Sequence, residues 1–301
     1  MLKFGFVTSA TAEEVPALEA LGVDSLWVGG HVASRNPTPE AMVQFARLAA
    51  LSSRVTIGTS ILLLPLYPPA IVAKQIADLD QYTGGRISLG IGVGGEYEQE
   101  FRACGVPVGE RGKRTDEAIP LLRRLWTAES ISHPGPFYPM QDVRIHPAPM
   151  QKDGPPIIVA GRQVVAMRRA AIHGDGWMPY LYSPRKYAES VETIKSMAIQ
   201  SNRNLDRFQW MEFLFTNIQD DPAQARRDAA NYLGGTYNQD FGPLVDRVAA
   251  AGDTNHVIER VQQFVDAGAR HIIFALGTNG SKLEMASRIV HEVIPVIREK
   301  N

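Results

Sequence analysis

Eight short apolar runs, near residues 3, 25, 55, 86, 156, 176, 208 and 271, alternate with stretches whose apolar residues recur at a helical period. "KFGFV" leads to a helical pattern at Val15, Leu18 and Leu21, and "DSLWVG" follows as the next run. The same grammar returns along the chain, and crossovers of this length join parallel strands rather than hairpins. Eight such units in 301 residues predict a (β/α)8 TIM barrel with insertions rather than an open doubly wound sheet. One stretch departs from the rhythm. "SISHPGPFYPMQDVRIHPAPMQKDGPP" is proline-rich without helical period, so an insertion near 130–155 is expected within a single domain spanning 1–301. The segment 235–252 shows no clear pattern.

Charge excludes some partners. Lysine and arginine number 31 against 32 aspartates and glutamates, a balance that gives no pull toward nucleic acid or an anionic membrane. Cys104 is the sole cysteine, so no internal disulfide forms. The most apolar segment, "SILLLPLYPPAIVA", is short and carries three prolines, which argues against a membrane span. Glu13 and Glu14 fall where a signal peptide would be apolar, and a cytoplasmic protein is the expectation.

The run "RISLGIGVGG" contains Gly90-x-Gly92-x-x-Gly95, the spacing of a dinucleotide-binding turn. Such a turn belongs to the first βαβ unit, with an acidic residue about 20 positions on at the end of the next strand. Here three units precede it, and Glu110 and Asp116 lie in helical or loop sequence. The glycines read instead as a turn at a strand's C-terminal end, the face on which barrels build their sites. Other residues at such ends are His31, Thr59 with Ser60, Gly161 with Arg162, and Gly176 with Trp177. Gly161 and Arg162 at a helix start suit a phosphate. Trp177 is either a stacking partner or a core aromatic, and Leu62, Leu63, Leu64, Leu66 and Tyr67 are either pocket or core. In "EYEQEF", Glu96 lies nearest the strand end, while Glu98 and Glu100 read as a solvated face. No metal site is expected, because His133, His146 and His173 are scattered. The chain also lacks a G-x-x-x-x-G-K-[S/T] loop, a G-x-S-x-G elbow, H-E-x-x-H and C-x-x-C.

Taken in order, "LGVDSLWVGGH", "IGTSILLLPLYPPAIVAKQIADLDQYTGGRISLGIGVGG", "EFRACGVPVGERGKRTDEAIPLLRRLWT" and "VAGRQVVAMRRAAIHGDGWMP" resemble the bacterial luciferase-like flavin and deazaflavin oxidoreductases. The wording is most similar to the coenzyme F420-dependent branch. That resemblance implies hydride transfer between F420 and a small, partly apolar organic substrate. The alternative it implies is an FMN-dependent monooxygenase that uses oxygen and is fed by a separate flavin reductase. A barrel that binds a flavin-like ligand, or none, as a non-catalytic partner is a third reading. Carried over by position, Ser60 and Ile61 form a bulge with a non-prolyl cis peptide behind the ring, and Gly94 and Gly95 lie beside it. Ala160, Gly161 and Arg162 hold the cofactor phosphate, with Gly176 and Trp177 adjacent, and His31 serves as proton partner with Glu96 as second candidate. Two positions depart from the sugar-phosphate-oxidising relatives: Gly30 replaces an acidic residue before His31, and Gly95 stands where they carry a catalytic glutamate. Both argue against a sugar-phosphate substrate. Family members pair as homodimers, and Met42, Phe45, Leu48 and Leu51 form a stripe suited either to that interface or to the core.

Overall fold

The computed structural model describes residues 1–278 and 280–301. Eight strands, Lys3–Val7, Ser25–Val28, Thr56–Thr59, Ile87–Gly92, Ile157–Ala160, Gly176–Met178, Gln209–Ile218 and His271–Leu276, each pair in parallel with the next. His271–Leu276 then pairs with Lys3–Val7, which closes the ring as a (β/α)8 barrel. The eight strands are those expected from the sequence. A two-residue strand, Leu62–Leu63, also pairs with the end of Ile87–Gly92.

Two further pieces of sheet were not expected. Ala249–Gly252 pairs with the far end of Gln209–Ile218, inside the segment whose sequence shows no pattern. The proline-rich excursion holds an antiparallel pair, Ile131–His133 with Met140–Val143.

The barrel centre is packed with side chains. Trp27, Ile158, Met178, Met211 and Ile273 come from strands on different sides of the ring and cluster together, fully or almost fully buried. Gly58 makes room for the indole, since a Cβ there would sit 2.2 Å from Cζ3 of Trp27. The indole Nε1–H donates to Ser25 Oγ at 2.8 Å, and that oxygen lies 2.7 Å from Nε2 of His271. Burial pushes His271 down to about 3, so the imidazole is neutral at ordinary pH.

The outer layer follows the helical periods. Met42, Phe45 and Leu48 of helix Ala41–Leu51 are buried against the chain itself, so this stripe is core and not a face left open for a second subunit. The "DLDQYTGGR" segment also has a structural explanation. Arg86 donates to the carbonyls of Thr83, Ser52 and Val55, and Asp80 accepts from the backbone and side-chain nitrogens of Gln151. One arginine ties the end of helix Pro69–Thr83 to the loop before the third strand, and one aspartate ties that helix to the excursion. No helix among the described residues is long and apolar enough to cross a membrane.

Candidate active site

A cavity of about 240 Å³ opens at the C-terminal ends of the barrel strands. Its wall divides into two arcs that follow strand order. The ends of the second, third, fourth and fifth strands and the loops after them supply Gly30 and His31, Ser60 and Ile61, Val93 and Gly94, and Ala160 and Gly161. The sixth and seventh strands and the helix that follows supply Met178, Tyr180, Phe213 and Tyr237. Leu63 and Glu96 complete the lining, and no lysine or arginine is among the lining residues described.

The first arc is built from small residues and backbone. Gly94 and Gly95 turn the chain at φ +65° and +118°, values that L side chains seldom adopt. At Gly161 φ is +133°, and a Cβ would lie 2.7 Å from that of Ala166. The Ser60–Ile61 peptide is cis. Ser60 Oγ is buried without a hydrogen-bond partner among the described residues. The oxygen is closed off from the cavity space, so Ser60 meets the cavity through its other atoms. Thr59, expected beside it at the mouth, instead donates to Gly90 O at 2.6 Å and is wholly buried.

His31 stands over this arc. Its Nδ1 lies 3.3 Å from Oε2 of Glu100, and its ring meets Tyr97 edge-on at 5.1 Å. Glu100 is fully buried on helix Glu98–Ala103 and also accepts from the backbone N–H of Val32 at 3.3 Å. The expectation of a solvated face therefore holds for exposed Glu98 and fails for Glu100. Helical phase contained the signal: residues two apart point roughly 200° away from each other, so the two glutamates do not share a face.

Glu96 lies at the rim, where it accepts from the Tyr180 hydroxyl at 3.0 Å. Burial and the nearby Glu96 carboxyl push Tyr180 up to about 12. The Arg162 guanidinium sits 4.9 Å above the Tyr180 ring, with Nη1 donating to Leu181 O at 3.4 Å. Arg162 is exposed and stays outside the cavity wall, next to helix Val164–His173, whose N-terminus has no side-chain cap.

Of the residues singled out from the sequence, the cavity brings together His31, Ser60, Ile61, Gly94, Glu96, Ala160 and Gly161. Gly95, Arg162, Gly176 and Trp177 are not among its lining. Gly95 instead faces Arg111, whose Nε would be 3.1 Å from a Cβ at that position. Strand parity explains the last pair. Gly176 and Met178 point into the barrel, so Trp177 between them points outward, where it packs 5.1 Å from Tyr187. The reading of Trp177 as a stacking partner is thereby corrected. Its indole instead donates to Gly161 O at 2.8 Å and braces the turn from behind. Met178, Tyr180, Phe213, Tyr237 and Glu100 were not identified from the sequence. The first two were within reach by the same parity that moves Trp177 outward.

Comparisons with known proteins bear on the family and the fold. The family model for luciferase-like monooxygenases matches residues 6–271. An uncharacterized protein of Mycobacterium tuberculosis is 39% identical over 142 residues, a match that spans 47% of this chain and 48%, about half, of that relative. F420-dependent glucose-6-phosphate dehydrogenase of Beutenbergia cavernae is 29% identical, with 100% of this chain and 98% of that one covered. Among solved structures, an F420-dependent secondary alcohol dehydrogenase in complex with an F420-acetone adduct superposes with a TM-score of 0.86 at 20% identity, covering 99% of both chains. The oxygenating constituent of 3,6-diketocamphane monooxygenase from Pseudomonas putida, in complex with FMN, gives 0.79 at 18% identity, covering 98% of both. At such identities the superpositions speak for the fold, and the family match over residues 6–271 speaks for descent: the chain belongs to the luciferase-like monooxygenase family.

Proposed function

We propose that the protein is an F420-dependent oxidoreductase acting at this cavity on a small organic substrate. The observation that carries the reading is the glycine-rich arc from Gly30 to Gly161, with His31 on the same wall. Such a wall leaves backbone uncovered for a flat ring. F420 is preferred over FMN because relatives named as F420-dependent enzymes align over the whole chain.

When bound, F420 supplies a hydride acceptor or donor at its ring, and the protein's share is placement and proton handling. In this reading Ser60, Ile61 and Gly94 would lie beside the ring, and Ala160 and Gly161 would stand at its phosphate end. The uncapped start of helix Val164–His173, with Arg162 beside it, takes the phosphate. His31 holds the transferred proton. Because its Nδ1 faces Glu100, Nε2 is the nitrogen left for substrate.

Side-by-side titration of the purified protein with F420 and FMN tests the reading. F420 is expected to bind about ten-fold more tightly or better, a difference near 1.4 kcal/mol. Tighter FMN binding, with oxygen uptake when a flavin reductase is supplied, would overturn it in favour of a flavin monooxygenase. That second reading has its own support in the fold shared with an FMN-bound oxygenating enzyme.

A further inference from the structure

The second arc of the wall has a chemistry of its own. Tyr180 and Tyr237 stack with ring centroids 6.2 Å apart and planes 25° apart. Phe213 lines the cavity beside them and is held edge-on by Phe215 at 5.3 Å. Tyr237 is held in turn by Phe215 and Phe241, at 6.1 and 5.8 Å. Three rings thus face one side of the cavity, fixed from behind by two more. Packed rings of this kind have little freedom left to lose on binding, and they present faces and edges that favour another planar π system.

Charge narrows the choice. The lining described includes Glu96 but no lysine or arginine, and Arg162, outside that lining, is engaged over the Tyr180 ring at 4.9 Å. A phosphorylated or otherwise anionic substrate finds no counter-charge on this wall and meets a like charge at the rim.

We infer that the arc of Tyr180, Phe213 and Tyr237 is a substrate subsite for an uncharged, planar, aryl-conjugated or enone-type carbonyl compound or the corresponding alcohol. The inference rests on the reading of this cavity as the reaction site and adds the class of substrate. The glycine-rich arc takes one flat ring and the aromatic arc a second, with His31 on the wall of the first.

The test compares two ketones of the same carbon skeleton, acetophenone and 1-cyclohexylethanone, with glucose 6-phosphate as anionic control. Binding is measured by saturation-transfer NMR on the full chain, with and without saturating F420. Acetophenone is expected to bind about five-fold more tightly than its saturated twin, and glucose 6-phosphate not to compete. Tyr237→Leu and Phe213→Leu, each checked by thermal melting, are expected to bring the ratio of the two ketones toward one. Two variants are used so that a folding failure in one leaves the other informative. No acetophenone binding, equal binding of the two ketones, a ratio unmoved by both substitutions, or competition by glucose 6-phosphate would each overturn the inference. If F420 does not bind but the ratio persists, the cofactor reading falls and the subsite stands. If F420 binds and the ratio is one, the reverse holds.

Discussion

Oε2 of Glu100 lies 3.3 Å from Nδ1 of His31, although 69 residues separate the two in the chain. The glutamate is sealed from solvent while the histidine borders the cavity, so the pair runs from the protein interior to the reaction space. A carboxyl in this position favours the tautomer that carries its proton on Nδ1 and fixes the ring plane. Glu100 touches no cavity surface itself and acts as a positioning residue.

Glu100→Gln should therefore change His31 before it changes anything else. The 15N shifts of the His31 imidazole are expected to move away from a single tautomer, and turnover should fall about ten-fold once a substrate is in hand. Unaltered imidazole shifts would reduce Glu100 to a packing residue.

Gly161→Ala places a methyl 2.7 Å from Ala166 Cβ, at a φ of +133°. The turn must shift, at a cost of roughly 1–3 kcal/mol. F420 affinity should drop by about ten-fold or more, because the backbone groups assigned to the cofactor move with the turn. Melting and titration on the same sample check both halves, and a variant indistinguishable from wild type in each would remove Gly161 from the site.

Glu212 gives a stability prediction with a definite sign. Its carboxyl is fully buried with neither oxygen hydrogen-bonded among the described residues, and burial raises its pKa well above the usual carboxylate range. The folded chain keeps this proton at a pH where the unfolded chain has released it, so stability falls as pH rises above about 4.5. Glu212→Gln removes that liability. At pH 8 it should be more stable by on the order of 1 kcal/mol or more, about 2–4 °C in Tm, with the gap shrinking toward pH 4.5. A gap that does not depend on pH would show that the carboxyl finds a partner in solution.

His271 governs the opposite limb. Its pKa is pushed down to about 3 from 6.5, so the unfolded chain takes up a proton that the folded chain refuses between those values. Stability is unaffected above about 6.5 and is lost progressively as pH falls below it. His271→Gln should flatten this part of the curve, at some cost to the bond with Ser25. Denaturant melts from pH 7 to 4 provide the check, and parallel slopes in the two proteins would refute the assignment.

The barrel was legible because each crossover carries a helical period and each strand is a short buried run, both local properties. Ala249–Gly252 was not, since "AAAG" has neither β-branched residues nor polar alternation, and only pairing with Gln209–Ile218 makes it a strand. The same division runs through the site. Positions just beyond strand ends, such as His31, Ser60 and Gly161, follow from the barrel itself. Glu100 and Tyr237 do not, because one reaches the site by burial against a residue far away in sequence and the other from the end of a long helix. Trp177 shows the remaining hazard: a strand end one residue out of phase places a side chain on the opposite side of the wall.

The packing of Trp27 against Ile158, Met211 and Ile273 makes the cavity a blind alley. A tunnel would let two ligands come and go by separate doors. Here the barrel axis offers no second door, so a molecule seated at the floor would have to leave by the mouth it entered. Occupancy by two ligands would then follow a last-in, first-out rule, an order imposed by four side chains that act only through the space they fill.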